Sequence, residues 1–396
     1  MDSFIGIDVA KDFHVAAVVD ASGSPVADTT FTNDAAGFAL LAEWLAGLGL
    51  NPENSCVCME STGHYHRLLL HRLVSDGWRV AVVNPVRTDA FRRVRSVRRT
   101  KTDLVDAYLI ADFLRVERPD PVESSPGGLS DLRRLTRLRS ELVKHRTALK
   151  NRMAAAVDVL FPELPPHLGG LWSASCRKVL ELWPDPMELA LVSEDELAEV
   201  LRSSSRGRRG LGDAMTIQRV ARCSIGRCDP CAAFEVRSIL RSVASLDDEI
   251  KRLDMECQRI LKASDAAVLL TVPGLGPVLA SSIAAEVGDA RLFRRANSMM
   301  AFAGMDATKT QSGKFESTEE HMSKRGSSHL RWALMEAANQ VRRRDAYFAD
   351  YYDSLKARNK HHYVALSGVA RKLCGVLIAL WTEQRAYESR STVRRE

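Results

Sequence analysis

The chain has 396 residues, 45% of them hydrophobic, with 56 Lys and Arg against 50 Asp and Glu, for a formal net charge of +6. That composition suits two or three globular domains and excludes a disordered chain; eight cysteines without framework spacing exclude a disulfide scaffold. The N-terminal MDSFIGIDVA lacks the basic region and apolar core of a secretory signal, so a reduced, cytoplasmic protein is expected.

In chain order, residues 3–9 (SFIGIDV), 12–20 and 25–32 read as three short strands in an antiparallel meander, with DASGS as the second turn. DAAGFALLAEWLAGLG reads as a helix capped by Asp34, SCVCME at 55–60 as a buried strand, HYHRLLLHRLVSDG as a helix and WRVAVVNP as a strand. Residues 86–117 read as helical throughout. Three strands followed by alternating helix and strand is the order of an α/β ribonuclease H-like (RuvC-like) domain, placed at residues 1–122.

SSPGG at 124–128 marks a break, and a helical region is expected over 129–262. Leu135, Leu142 and Leu149 fall seven apart on a long basic helix; Ile239, Val243, Leu246, Ile250, Leu253, Cys257 and Ile260 alternate spacings of four and three. The second pattern is a coiled-coil seam, and it fits an intrachain hairpin and a dimer contact equally well. Between the two helices, residues 163–235 offer Pro-rich turns and SSSRGRRG as an exposed loop. Cys223, Cys228 and Cys231 include one C-x-x-C but no fourth ligand at finger spacing, which argues against zinc.

A mostly α-helical third domain is expected over 263–385. It opens with AAVLLTVPGLGPVLASSIAAEVGD, a helix-hairpin-helix-like pattern in which Gly274 and Gly276 allow a tight turn whose backbone N–H groups can hold a phosphate. The alternative is an ordinary Gly-Pro turn between packed helices. The apolar run YVALSGVARKLCGVLIALW is interrupted by Arg371 and Lys372 and reads as a buried helix rather than a membrane span.

The chemistry concentrates in acids and arginines. FRRVRSVRRTK at 91–101 sets six basic side chains, Arg92, Arg93, Arg95, Arg98, Arg99 and Lys101, in eleven residues, directly before Asp103 and Asp106. Carboxylates three apart on a helix are neighbours and repel unless a cation intervenes. Asp8 ends the first strand and Glu60 the fourth, which are adjacent in a ribonuclease H-like sheet, so four acids would surround one crevice. Clustered hard oxygen donors select Mg2+ or Mn2+, two per site, and two such ions can clamp the attacking and leaving oxygens of a phosphodiester. The basic run would then lie along the substrate strand. Taken singly, a strand-end Asp is usually a cap and an Asp-x-x-Asp pair usually solvated; their joint occurrence in order carries the reading.

GIDVAK at 6–11, MESTGHY at 59–65, VVNP at 82–85 and KTDLVDA at 101–107 resemble the N-terminal domain of IS110-family transposases. VPGLGPVLASSIAAEVGD, FAGMDATKTQSG and MSKRGSSHLR are similar to its C-terminal domain, so the resemblance spans residues 3–117 and 266–383. It implies that Asp8, Glu60, Asp103 and Asp106 are the family's Asp-Glu-Asp-Asp metal-binding acids. It also implies that the serine of the QSG motif, Ser312 here, attacks DNA and becomes covalently joined to it, in a composite site joining both domains across a dimer. A structured guide (bridge) RNA, DNA donor ends and target, a homo-oligomer (dimer or tetramer) and a location in the bacterial cytoplasm or nucleoid are further implications. Lys324 and Arg325, in SKRG, are candidate phosphate contacts. Asp306 and Ala307 stand where the family more usually has Thr-Pro, and the middle region is longer than in compact members. The rival readings are a junction-resolving nuclease that uses water as nucleophile, and a non-catalytic nucleic-acid-binding protein.

Overall fold

The structure, a computed structural model, describes residues 3–61, 63–95, 102–122, 128–227, 229–308, 311–312, 315–316 and 321–389. The chain divides into two compact units, Met1–Pro126 and Gly127–Glu396.

In the first unit β1 (Ser3–Val9), β2 (Phe13–Val19) and β3 (Pro25–Thr32) form the expected antiparallel meander. Helix α1 (Ala35–Gly47) follows, its N-cap Asp34 accepting from the Gly37 N–H at 2.8 Å. Then come β4 (Ser55–Glu60), α2 (His66–Ser75) and β5 (Arg79–Val83), with β4 and β5 parallel to β1. The sheet order is β3-β2-β1-β4-β5. Strands covered on both faces are apolar on both faces. Ile5, Ile7 and Val18 pack with Leu41, Leu45 and Leu69 on one side, while Phe4, Cys58 and Val83 pack with Ile110, Phe113 and Leu114 on the other.

The single helix expected over 86–117 is two: α3 (Pro85–Arg95) and α4 (Asp103–Glu117). Thr102 is extended and its hydroxyl caps α4 by accepting from the Val105 N–H at 3.3 Å, so the second helix starts afresh at the acids.

In the second unit α5 (Leu129–Leu160) carries Leu135, Leu142 and Leu149. Five short helices follow: α6 (Leu164–His167), α7 (Ala174–Leu182), α8 (Pro186–Leu191), α9 (Glu194–Ser204) and α10 (Leu211–Arg222). They enclose their own core, with Cys176, Leu180, Leu197, Leu201 and Ile217 packed on Phe161 and Val236, and this fills the region that the sequence left unassigned. Helix α11 (Pro230–Lys262) then returns along α5. Arg139 pairs with Asp254, Arg146 with Asp247 at 2.7 Å and Arg152 with Glu235, an order that only antiparallel helices allow. The heptads thus pair within the chain as a hairpin.

The first arm of the PGLG turn is a 3-10 helix (Asp265–Thr271) rather than an α-helix; the second is α12 (Pro277–Val287). After α13 (Ala296–Phe302), the two-residue strands β6 (Ala307–Thr308), β7 (Gln311–Ser312), β8 (Phe315–Glu316) and β9 (His321–Met322) form nested hairpins. Helices α14 (Ser328–Val341), α15 (Ala346–Ala357) and α16 (His362–Glu383) close the unit. By length and composition α16 could cross a membrane; here Ala365, Leu366, Val369, Leu373, Leu377 and Trp381 are buried in the core shared with α12 and α14.

Candidate functional site

The acids of the first unit gather at one end of the sheet. β1 and β4 pair in parallel up to Ile7–Met59, so Asp8 and Glu60 are the next residues on neighbouring strands, at their C-terminal ends. Helix α4 crosses the same strands because residue 6 is glycine: a Cβ there would stand 2.2 Å from Ala107 O and Ala111 N. That close approach sets the first turn of α4, with Asp103 exposed and Asp106 buried, beside the end of β1, where the helix N-terminus also favours negative charge.

The electrostatics report the crowding. Burial, then the carboxylates of Asp106, Asp103 and Glu60, push the Asp8 carboxyl up from 3.8 to about 6. The turn just after Asp8 is fixed by His14, fully buried, whose Nδ1 accepts from the Ala10 N–H at 3.3 Å; burial lowers its pKa.

Two side chains of α3, one turn apart, meet two of the acids. The Thr88 hydroxyl, fully buried, donates to Glu60 and lies 2.9 Å from Pro85 O. Arg92 Nη1 stands 2.8 Å from Asp106 Oδ1. Among the described residues no three His, Cys, Asp or Glu side chains converge closely enough to hold an ion as they stand. The donor set nonetheless fits a hard divalent cation: it is all carboxylate oxygen, and Asp8 has no ion pair among the described residues. Neither Thr88 nor the Arg92–Asp106 pairing was foreseen from the sequence.

Of the other basic positions, Arg93 and Arg95 are exposed on α3, and Arg95 reaches Asp112 at 3.1 Å. Arg98, Arg99 and Lys101 lie outside the described residues, as does Cys228.

In the second unit Ser312 pairs with Phe315 across the β7–β8 hairpin. On either side of this hairpin in sequence, two glycines bring the backbone together: Gly304 has φ +66, and a Cβ on it would stand 2.5 Å from Gly326 N. Lys324 N–H donates to Gly304 O and Ser323 N–H to Asp306 O, each at 2.9 Å. The Ser323 hydroxyl donates to the Asp306 carboxylate, so a side-chain bond joins the same two residues as the backbone one. The Lys324 and Arg325 side chains are left exposed. Gly274, at φ +93, lets the PGLG turn sit against the backbone of Gln340, 2.9 Å from where its Cβ would be, and Gly276 caps α12.

A buried polar network holds the helices beneath. Glu286, 3% exposed, takes Arg137 bidentately at 2.8 and 3.0 Å and the Ser327 hydroxyl at 2.7 Å. Burial alone would raise the Glu286 carboxyl; Arg137, Ser327 and Arg133 outweigh it and hold the group below its usual range.

A transposase family model, that of the DEDD transposases of IS110, matches residues 5–162. A second, described as Transposase IS116/IS110/IS902 family, matches residues 266–353, and together they take in more than half of the chain. An insertion element IS116 uncharacterized 44.8 kDa protein of Streptomyces clavuligerus is 28% identical over 97% of this chain and 96% of its own length. The mini-circle putative transposase for IS117 of Streptomyces coelicolor is 28% identical over 78% of each chain. The pilin gene-inverting protein of Moraxella bovis is 22% identical over 98% of each. With both family models in their expected order along the chain, and relatives matched over nearly its whole length, the chain belongs to the IS110 family of transposases.

Proposed function

We propose that this transposase excises and inserts an insertion sequence through a covalent phosphoserine intermediate, with Ser312 as nucleophile and Asp8, Glu60, Asp103 and Asp106 as ligands of Mg2+ or Mn2+. The observation that carries the metal half is the crowding of Asp8 by three further acids at the sheet edge. A bound divalent ion would neutralise these carboxylates and stabilise charge developing on the phosphodiester oxygens. Serine attack forms one bond from Oγ to phosphorus and breaks one from phosphorus to a bridging oxygen; the hydroxyl proton is lost and the departing oxygen gains one. Rejoining reverses these changes with a new DNA hydroxyl as attacker, so the bond energy stays in the phosphoserine and no nucleotide cofactor is required. Exposed Lys324 and Arg325, on the loop pinned next to the QSG hairpin in sequence, and Arg93 on α3 would hold backbone phosphate. A guide RNA pairing with donor and target DNA would then choose sequence, and a homo-oligomer would bring two sets of ends together in the cytoplasm.

The test is to incubate the protein with RNA from its element, Mg2+ and end-labelled junction DNA, then denature. Label should remain on wild-type protein and vanish with Ser312→Ala, which keeps its metal binding, and with Asp8→Ala. Cleavage that leaves no label on protein would demote Ser312 and favour a nuclease using water.

A further inference from the structure

Helix α3 does more than carry positive charge. Thr88 and Arg92, four residues apart, share one face of the helix and occupy Glu60 and Asp106 respectively. Phe91 packs edge-on against Phe113 of α4, ring centroids 5.5 Å apart, and Arg87 lies over the same ring at 5.2 Å, so this face is seated by packing as well as by charge.

The Arg92–Asp106 pair itself is poorly made. The side chains are only 22% and 10% exposed, and they meet through Arg92 Nη1 and Asp106 Oδ1, while Arg92 Nε is buried without a hydrogen-bond partner. The guanidinium neutralises the carboxylate without the aligned, forked hydrogen bonds that make such a pair strong. A buried pair of this kind is easily exchanged for better partners on both sides. A divalent cation offers Asp106 twice the charge, and a phosphate offers Arg92 the fork it lacks here.

We propose that Arg92 is a latch on the metal site: it stands in for the cation at Asp106 in the metal-free protein and gives up that carboxylate when a phosphate of the substrate DNA strand takes its guanidinium. The proposal rests on reading the four acids as a metal site. A guanidinium and a divalent ion repel at contact distance, so they cannot share Asp106 Oδ1. DNA on α3 and metal on the acids must then strengthen each other's binding by the same factor. The consequence is an enzyme that loads its metal fully only with DNA in place, which restrains cutting in its absence. Arg92 is in this sense a positioning residue, acting on the reaction through Asp106.

The experiment is a Mn2+ titration of the full chain, followed calorimetrically, with and without a short single-stranded DNA oligonucleotide, the oligonucleotide alone being titrated for subtraction. Arg92→Met keeps the apolar stem and removes the charge; without DNA it should bind Mn2+ about tenfold more tightly than wild type, within the usual range of coupling between sites. Adding DNA should tighten wild-type binding by a similar factor and leave Arg92→Met nearly unchanged. Should Arg92→Met not fold, Arg92→Gln serves the same purpose, and the DNA effect on wild type is read without any variant. Mn2+ binding that disappears in Asp8→Asn but is equal or weaker in the Arg92 variants, or that is indifferent to DNA in wild type, overturns the latch while leaving the metal site standing. No Asp8-dependent Mn2+ binding in any protein overturns both.

Discussion

Replacing Asp8 by Asn should make the metal-free protein more stable near neutral pH, although it removes a residue assigned to the active site. Folding moves the Asp8 carboxyl from 3.8 to about 6 through burial and then through Asp106, Asp103 and Glu60. Because the folded value is raised, the native state binds more protons than the unfolded chain between those two values. Stability therefore falls as pH rises through that window, and the penalty is complete above about pH 6. A shift of about two units corresponds to roughly 3 kcal/mol for a fully shielded group. Asp8 is partly open to solvent, and screening reduces this to about 1–2 kcal/mol. For a unit of this size that is roughly 4–8 °C in the midpoint of its thermal transition. Calorimetry in chelator-treated buffer at about pH 7.5 should show one transition of Asp8→Asn raised by this amount, the gap closing by about pH 4. With excess Mn2+ the order should reverse, because only the wild type gains stability from the ion. A variant no more stable than wild type at neutral pH, or a gap that ignores pH, would refute the crowding argument.

Two other substitutions probe the frame around the sites. Gly6→Ala should cost more than about 3 kcal/mol and abolish Asp8-dependent Mn2+ binding together, since a methyl there collides with the α4 backbone. Urea unfolding and calorimetry measure the two effects, and a stable variant that binds Mn2+ normally would contradict the close approach. Glu286→Gln should destabilise the second unit by about 2–4 kcal/mol by leaving Arg137 and Arg133 undercompensated. The Glu286 carboxyl is depressed on folding, so its contribution is present above the ordinary value of 4.5 and lost as pH falls below it. Denaturation at a series of pH values should show wild type and variant converging on the acid side.

The parts of the fold that were legible in the sequence are those written in local signals. The short apolar runs FIGIDV and HVAAVV, the Asp34 cap and the turn residues between elements placed the meander, α1, β4 and β5 within a residue or two. The break between α3 and α4 was missed because no glycine or proline marks it, although Thr102 before two acids is an N-cap signal. The helices of 163–235 were hidden in the same way: Ser173, Asp185 and Ser193 each cap one, but each helix is too short for its period to stand out. The heptads could not choose between hairpin and dimer, because the seam asks only for an apolar partner; the matched ion pairs along α5 and α11 decide it. At the acid site, chain order alone located Asp8 and Glu60. That Thr88 and Arg92 of α3 meet Glu60 and Asp106 depends on how two helices pack, which no local pattern encodes.

The hairpin of α5 and α11 is a spacer whose length comes in steps. Two of its rungs, Arg139–Asp254 and Arg146–Asp247, lie seven residues apart on each helix and hold only while both keep the same heptad phase. Removing seven residues from each arm, opposite one another, would bring the short helices at its tip about 10.5 Å closer to its base with the seam intact. Removing any other number, or from one arm alone, would turn the seam toward water. Viable changes of reach in this arm are therefore paired and come in whole heptads.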